Sequence, residues 1–213
     1  YRLLPRERAA GIAKLRLAAL VLFTFPGSPM IYYGDEAGME GFEDPLNRGT
    51  YPWGREDRDL LAWFTRLGAL RNAYPALQSG TISWLYTAGP LLIFARQDGD
   101  QRLTTAVNAS PDSHTVTLLW EGAGPTDLLT GDTLPCSGGV LHLQLPPWGC
   151  RLFAVTGCGC HVKHPRLFFL PFVHVKHFLF LFSAFPLFSL QRPSTLAIIN
   201  EHKHFYLIGY FQK

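Results

Sequence analysis

The stretch Gly27-Ser28-Pro29-Met30-Ile31-Tyr32-Tyr33-Gly34-Asp35-Glu36 constrains the fold of this chain more than any other. Pro29 stands where a strand can begin, since a missing N–H is tolerated at that position. Residues 30–33 are a short apolar run with two aromatics, the pattern of a strand covered on both faces. Gly34 then lets the chain turn and brings Asp35 and Glu36 to the strand's C-terminal end. An Ala- and Leu-rich helix is predicted before it, over 5–23, and a second helix after it, over 58–74. Between strand and second helix come Asp44-Pro45-Leu46-Asn47-Arg48 and Tyr51-Pro52-Trp53.

This order resembles the end of the catalytic barrel in alpha-amylase-type glycoside hydrolases, closest to the neopullulanase, cyclomaltodextrinase and alpha-glucosidase branches. In those enzymes a helix leads into the eighth barrel strand through G-x-P-x-x-x-x-G-x-E. Gly27, Pro29, Gly34 and Glu36 fit that pattern, and the Asp-Pro-x-x-Arg and Tyr-Pro-Trp segments follow where expected. In (β/α)8 barrels the C-terminal ends of the strands build the active site.

The resemblance also implies what to look for and not find. Such hydrolases use three carboxylates, placed after strands four, five and seven. With strand eight near residue 29, all three are expected N-terminal to Tyr1, and no His-Asp motif occurs in residues 1–29. A retaining mechanism needs two carboxyl groups about 5–5.5 Å apart, and no pair here matches the family's use. A full barrel takes about 250 residues, whereas this chain has 213 in all. The chain therefore reads as a C-terminal fragment of a hydrolase, catalytically silent alone, whose missing N-terminal barrel portion is its implied partner.

After residue 80 the period changes from helical to alternating. Strands are predicted at 81–86, 91–97, 102–108, 114–119, 140–145 and 150–155, with Asp98-Gly99-Asp100 as a tight hairpin signal. Short strands separated by Gly, Pro and Asp turns predict an antiparallel sandwich, similar to the small C-terminal domain that follows the barrel in the same enzymes. The expected fold is thus α/β plus all-β. Residues 1–78 would be the barrel's last strand and flanking helices, and 79–156 the sandwich. The first helix would pack through Ile12, Leu15, Ala19 and Leu22, the second through Leu60, Phe64, Leu67 and Leu70. Residues 1–78, deprived of seven strands, are expected to be poorly ordered alone while 80–156 fold.

Charge divides the chain differently. Residues 1–157 carry 13 Lys and Arg against 15 Asp and Glu, while 158–213 carry six against Glu201 alone. The net +3 is thus a property of the tail and does not signal a nucleic-acid partner. Eight Phe between positions 168 and 188, and six of the eight His after position 160, set residues 157–213 apart. The leading reading is a frameshift or read-through segment; the rivals are an added globular element and a membrane span, which needs about 20 apolar residues where the longest stretch without a charge or His is 178–191, interrupted by Pro186. Cys158-Gly159-Cys160-His161 lacks the spacing of a zinc site. Cys136 and Cys150 could approach across the sandwich, but spacing alone does not pair them. No cofactor is implied, a calcium site in the parent is left open, and compartment is not encoded in what is visible.

The candidate ligand residues follow from the loop after the expected strand. Asp44 and Arg48 offer a carboxylate and a planar guanidinium that can fix several sugar hydroxyls, and the resemblance implies a glucose subsite for them. Tyr51 and Trp53 offer flat faces for stacking on pyranose rings of an alpha-glucan oligosaccharide. Gly27, Pro29, Gly34 and Glu36 are expected to shape the barrel mouth, with Glu36 accepting hydrogen bonds rather than catalysing. His114 and His142 are expected at the surface, and Trp84, Trp120 and Trp148 in the sandwich core or at its edge.

Overall fold

The computed structural model describes residues 3–41, 44–120, 122–155, 198–199 and 205–206. Apart from two antiparallel dipeptide strands, Ile198–Ile199 and Phe205–Tyr206, the Phe- and His-rich tail and its Cys-Gly-Cys-His run lie outside the described residues. The chain divides into two compact units, one containing residues 3–22 and 27–69, the other residues 23–26 and 70–155.

Helix α1 spans Pro5–Thr24. Proline suits its first position, where the N–H would have no helical partner. Glu7 reaches back to the Leu4 N–H at 3.0 Å, closing the first turn as a capping-box glutamate does. The burial differs from expectation. Leu17, Leu20 and Val21 are the buried positions of the first unit's stretch together with Ala19, whereas Ile12, Leu15 and Leu22 are only half-buried. From residue 17 to 23 the helix is apolar all round, so its sequence does not select one face.

Helix α2 spans Arg58–Ala73 and buries Leu60, Phe64 and Leu67 as predicted, with Leu70 half-buried. Asp57 caps it, accepting the Leu60 N–H at 3.1 Å. Burial opposes ionisation of Asp57, but that N–H and the Arg8 guanidinium outweigh it and hold the carboxyl below its ordinary range. Arg8 bridges Asp57 at 3.2 Å and Glu40 at 3.3 Å. These ion pairs fasten the start of α1, the turn at 34–40 and the start of α2 to one another. Pro75 ends α2 and opens the short helix α3, Pro75–Gln78.

The expected buried strand at 30–33 does not form. Met30, Ile31, Tyr32 and Tyr33 are 38–45% exposed, and no strand among the described residues pairs with them. An apolar extended run becomes a strand only when another strand satisfies its N–H and C=O groups.

The second unit is a two-sheet antiparallel structure. Strands β1 (Thr81–Ala88), β2 (Leu91–Asp98), β3 (Gln101–Asn108), β4 (His114–Leu119), β7 (Val140–Leu145) and β8 (Cys150–Val155) coincide with the six predicted ones. Two dipeptide strands, β5 (Thr126–Asp127) and β6 (Cys136–Ser137), were too short to announce themselves. One sheet runs β1-β2-β3-β8-β5 and the other β4-β7-β6. Gly99, at φ 55°, makes the hairpin that pairs Asp98 with Gln101.

Between the sheets lie Leu91, Ile93, Ala106 and Phe153 from one side and Val116, Leu141, Leu143 and Leu145 from the other, with Trp120 and Leu134 completing the core. Each such aliphatic or aromatic side chain contributes about 1.5–3 kcal/mol by leaving water. Trp120 meets Phe153 edge-on at 5.9 Å and donates its indole N–H to Ala123 O at 2.9 Å. His142 is exposed, whereas His114 is half-buried and contacts the Ser110 hydroxyl at 3.0 Å. Cys136 and Cys150 are not joined in a disulfide.

Strand β2 is buried on both faces. On the face away from the sandwich core, Phe94 packs against Phe25 at 5.8 Å and Trp84 at 5.9 Å. Arg96, 1% exposed, donates to Thr24 O at 2.8 Å, Leu77 O at 3.2 Å and Gly80 O at 2.8 Å. Arg71 donates to Phe23 O at 2.7 Å and Phe25 O at 3.3 Å. The last turn of α1 has no basic residue of its own, so these two guanidinium groups satisfy its terminal carbonyls and face the negative end of its dipole. Burial, and then the Arg71 charge, lower the Arg96 pKa to about 10.

Candidate functional site

The first unit carries every residue the sequence singled out for sugar. Gly34 sits buried at φ 92°, a conformation that disfavours any side chain, and a Cβ there would collide with Met39. The turn it makes is closed by Met39 N–H donating to Gly34 O at 2.9 Å and Ala37 N–H donating to the same oxygen at 3.1 Å. Gly27 also has positive φ, 106°, and Pro29 is half-buried.

The turn brings the two carboxylates into different surroundings. Asp35 is partly withdrawn from water; that burial, and then the neighbouring Glu36 charge, push its pKa up to about 6. Glu36 instead accepts the Gly34 N–H at 3.0 Å. Partial loss of water and the Glu36 carboxylate together raise the Tyr51 phenol above its ordinary range.

Asp44 precedes a single 3-10 turn, Leu46–Arg48, and Arg48 is the turn's last residue. Arg48 Nε meets Asp44 Oδ1 at 2.7 Å, with both side chains more than half exposed. A pair so exposed adds little to stability, and its donors and acceptors remain open to solvent on one side. Further along, the Tyr51 and Trp53 rings stand 4.5 Å apart at 49°. Trp53 is 80% exposed. Its backbone is tied to Tyr51 through its N–H to Tyr51 O at 2.9 Å, and the Gly54 N–H that follows donates to Glu56 at 2.9 Å.

The predicted residues thus form two pairs on one loop, Asp44 with Arg48 and Tyr51 with Trp53. One contact holding that loop was not read from sequence. The Tyr33 hydroxyl donates to Gly49 O at 3.0 Å across 16 positions, which no local pattern announces. No cluster of three metal-ligating side chains occurs among the described residues, and no described helix is long and apolar enough to cross a membrane.

The two antiparallel sheets of the second unit define a class, an all-β domain of sandwich type. Residues 86–152 match the family model described as the maltogenic amylase C-terminal domain. An amylopullulanase of Thermoanaerobacter thermohydrosulfuricus is 34% identical over 72% of this chain and 12% of its own length. A cyclomaltodextrinase of Geobacillus thermopakistaniensis is 33% identical over 68% of the chain and 26% of its own. An alpha-amylase from Anoxybacillus superposes with TM-score 0.63 at 31% identity, covering 67% of this chain and 32% of that one. The chain belongs to the alpha-amylase family of glycoside hydrolases and carries a C-terminal region of such an enzyme. It spans 12–26% of the length of the two curated relatives.

Proposed function

We propose that this chain forms the C-terminal part of a retaining alpha-glucoside hydrolase acting on maltodextrin-, cyclodextrin- or pullulan-type glucans. Residues 29–33 supply the eighth strand of its (β/α)8 barrel, pairing with neighbours from the rest of the barrel. Asp44 and Arg48 hold glucose hydroxyls, Tyr51 and Trp53 stack on pyranose faces, and the catalytic carboxylates come from other barrel strands. The observation that carries this reading is the occurrence in one chain of the Gly27-Pro29-Gly34-Glu36 pattern, the open Asp44–Arg48 pair and the maltogenic amylase C-terminal match over 86–152. Relatives named cyclomaltodextrinase and neopullulanase 2 support the substrate class, as does a 27% identical Geobacillus thermoleovorans alpha-amylase complexed with acarbose.

Calorimetry with maltotriose and a reducing-sugar assay on pullulan and cyclodextrin test the reading. The expected result is weak binding, with Kd of order 1 mM, and no hydrolysis by the chain itself. Hydrolysis at enzyme-like rates would overturn the division of labour. A second reading, a non-catalytic sugar-binding β module, is favoured by Trp84, 47% exposed and braced by Phe25 and Phe94; it requires maltotriose binding that Trp84→Ala abolishes and Arg48→Ala spares.

A further inference from the structure

We propose that the outer edge of β1 is a self-association surface, at which a second copy of this chain pairs its own β1 antiparallel to the first.

Strand β1 ends the five-stranded sheet, and no described strand pairs with its outer side. An open edge of this kind is a template for another strand, and brevity, proline or charge ordinarily blunts it. The terminal strands β5 and β6 are dipeptides. Strand β1 instead runs for eight residues, Thr-Ile-Ser-Trp-Leu-Tyr-Thr-Ala, with no charge and no proline. The remaining terminal strand, β4, carries no Phe, Tyr or Trp.

A bulge between Trp84 and Tyr86 leaves Leu85 without an opposite residue on β2. The regular part of the edge is therefore 81–84. The bulge also sets Tyr86 opposite Ile93 on the core face while Trp84 stays opposite Phe94 on the other face. There the indole is 47% exposed and held by Phe25 at 6.0 Å and Phe94 at 5.9 Å. A large aromatic ring fixed in place, with no charge beside it on its strand, is what anchors an interface between proteins.

The strand is complementary to itself. Antiparallel pairing of one strand with its own copy is isologous, so each contact occurs twice. Residues directly opposite each other share a face of the sheet. Within 81–84 a two-fold axis at Ser83 meets that condition. It sets Ser83 against Ser83 and, twice over, the half-buried Ile82 against Trp84 of the other copy. No like charges meet.

The test follows the full chain by sedimentation velocity from about 1 to 100 µM, with Trp84 emission taken as the difference from Trp84→Phe. The mass should double over that range as Trp84 emission moves to the blue. Ser83→Lys and Ser83→Asp should each stay monomeric with unchanged far-ultraviolet circular dichroism, because like charges then face each other across the axis. An equal mixture of the two should associate again, since the charges now attract. Trp84→Ala, which places no charge at the edge, should weaken association at least about tenfold. A chain that stays monomeric at about 100 µM would overturn the proposal, and maltotriose shifting Trp84 emission in that monomer would give the ring to sugar. Association that persists in Ser83→Lys, or a mixture of the two folded variants that stays monomeric, would equally remove pairing along this edge.

Discussion

The Arg96 guanidinium donates to the main-chain oxygen of Thr24 at 2.8 Å across 72 positions of sequence. A cation in the middle of a β-strand thereby closes the last turn of the first helix. The same side chain serves Leu77 O and Gly80 O, so three buried carbonyls depend on it.

Replacing Arg96 by Ala should cost roughly 2–4 kcal/mol, because buried acceptors are left without donors. Arg96→Lys should recover only part, since an ammonium cannot span three carbonyls as a guanidinium does. Urea unfolding followed by Trp120 emission measures the loss. A midpoint unmoved by Arg96→Ala would show that water replaces the guanidinium without penalty.

Asp35 predicts a pH dependence. Its folded pKa, about 6, lies above the ordinary carboxylate value. The folded state therefore favours the protonated form, and the stabilising contribution is complete below about pH 4 and lost as pH rises through 6. Asp35→Asn should raise the melting temperature at pH 7–8 and leave it nearly unchanged at pH 4. Equal shifts at both pH values would mean that Asp35 acts through packing rather than charge.

Gly34 and Gly54 separate backbone strain from collision. Both have positive φ, 92° and 75°, but only at Gly34 does a Cβ meet another residue, Met39. Gly54→Ala should cost about 1 kcal/mol and Gly34→Ala at least twice that. Hydrogen exchange of the Met39 and Ala37 amides, both bonded to Gly34 O, should rise in Gly34→Ala alone.

How far the sequence could be read followed from how local each determinant is. Val140–Leu145 alternates buried and exposed positions without error, and its neighbours in the ladder do nearly the same, so the sandwich was visible as a period. Residues 30–33 have strand composition and lack a partner strand, because pairing is a property of two segments and composition of one. The burial of α1 includes Ala19 of the predicted stripe but otherwise centres on Leu17, Leu20 and Val21 rather than Ile12, Leu15 and Leu22, since a helix apolar on every side leaves the choice of face to its neighbours. The Arg8–Asp57 bridge, Arg71 on Phe23 O and the Tyr33 hydroxyl on Gly49 O are long-range polar contacts. Nothing in the spacing of those residues encodes them.

The Asp44–Arg48 pair permits the sharpest separation of binding from stability. Its 2.7 Å contact is more than half exposed on both sides, so solvent screens it and its loss should change stability by less than about 1 kcal/mol. If the pair holds glucose hydroxyls, Arg48→Ala should nonetheless weaken maltotriose at least about tenfold, because a planar multi-donor group is lost at the ligand. Arg48→Lys should remain weak, as a point charge cannot reproduce the paired donors. Asp44→Ala should lose a similar amount, since Arg48 then swings free of its orienting partner. Melting temperatures and calorimetric affinities measured on the same samples decide the matter. Parallel falls in both would make the pair a brace for the 44–53 loop, and an affinity that survives Arg48→Ala would remove it from the sugar site.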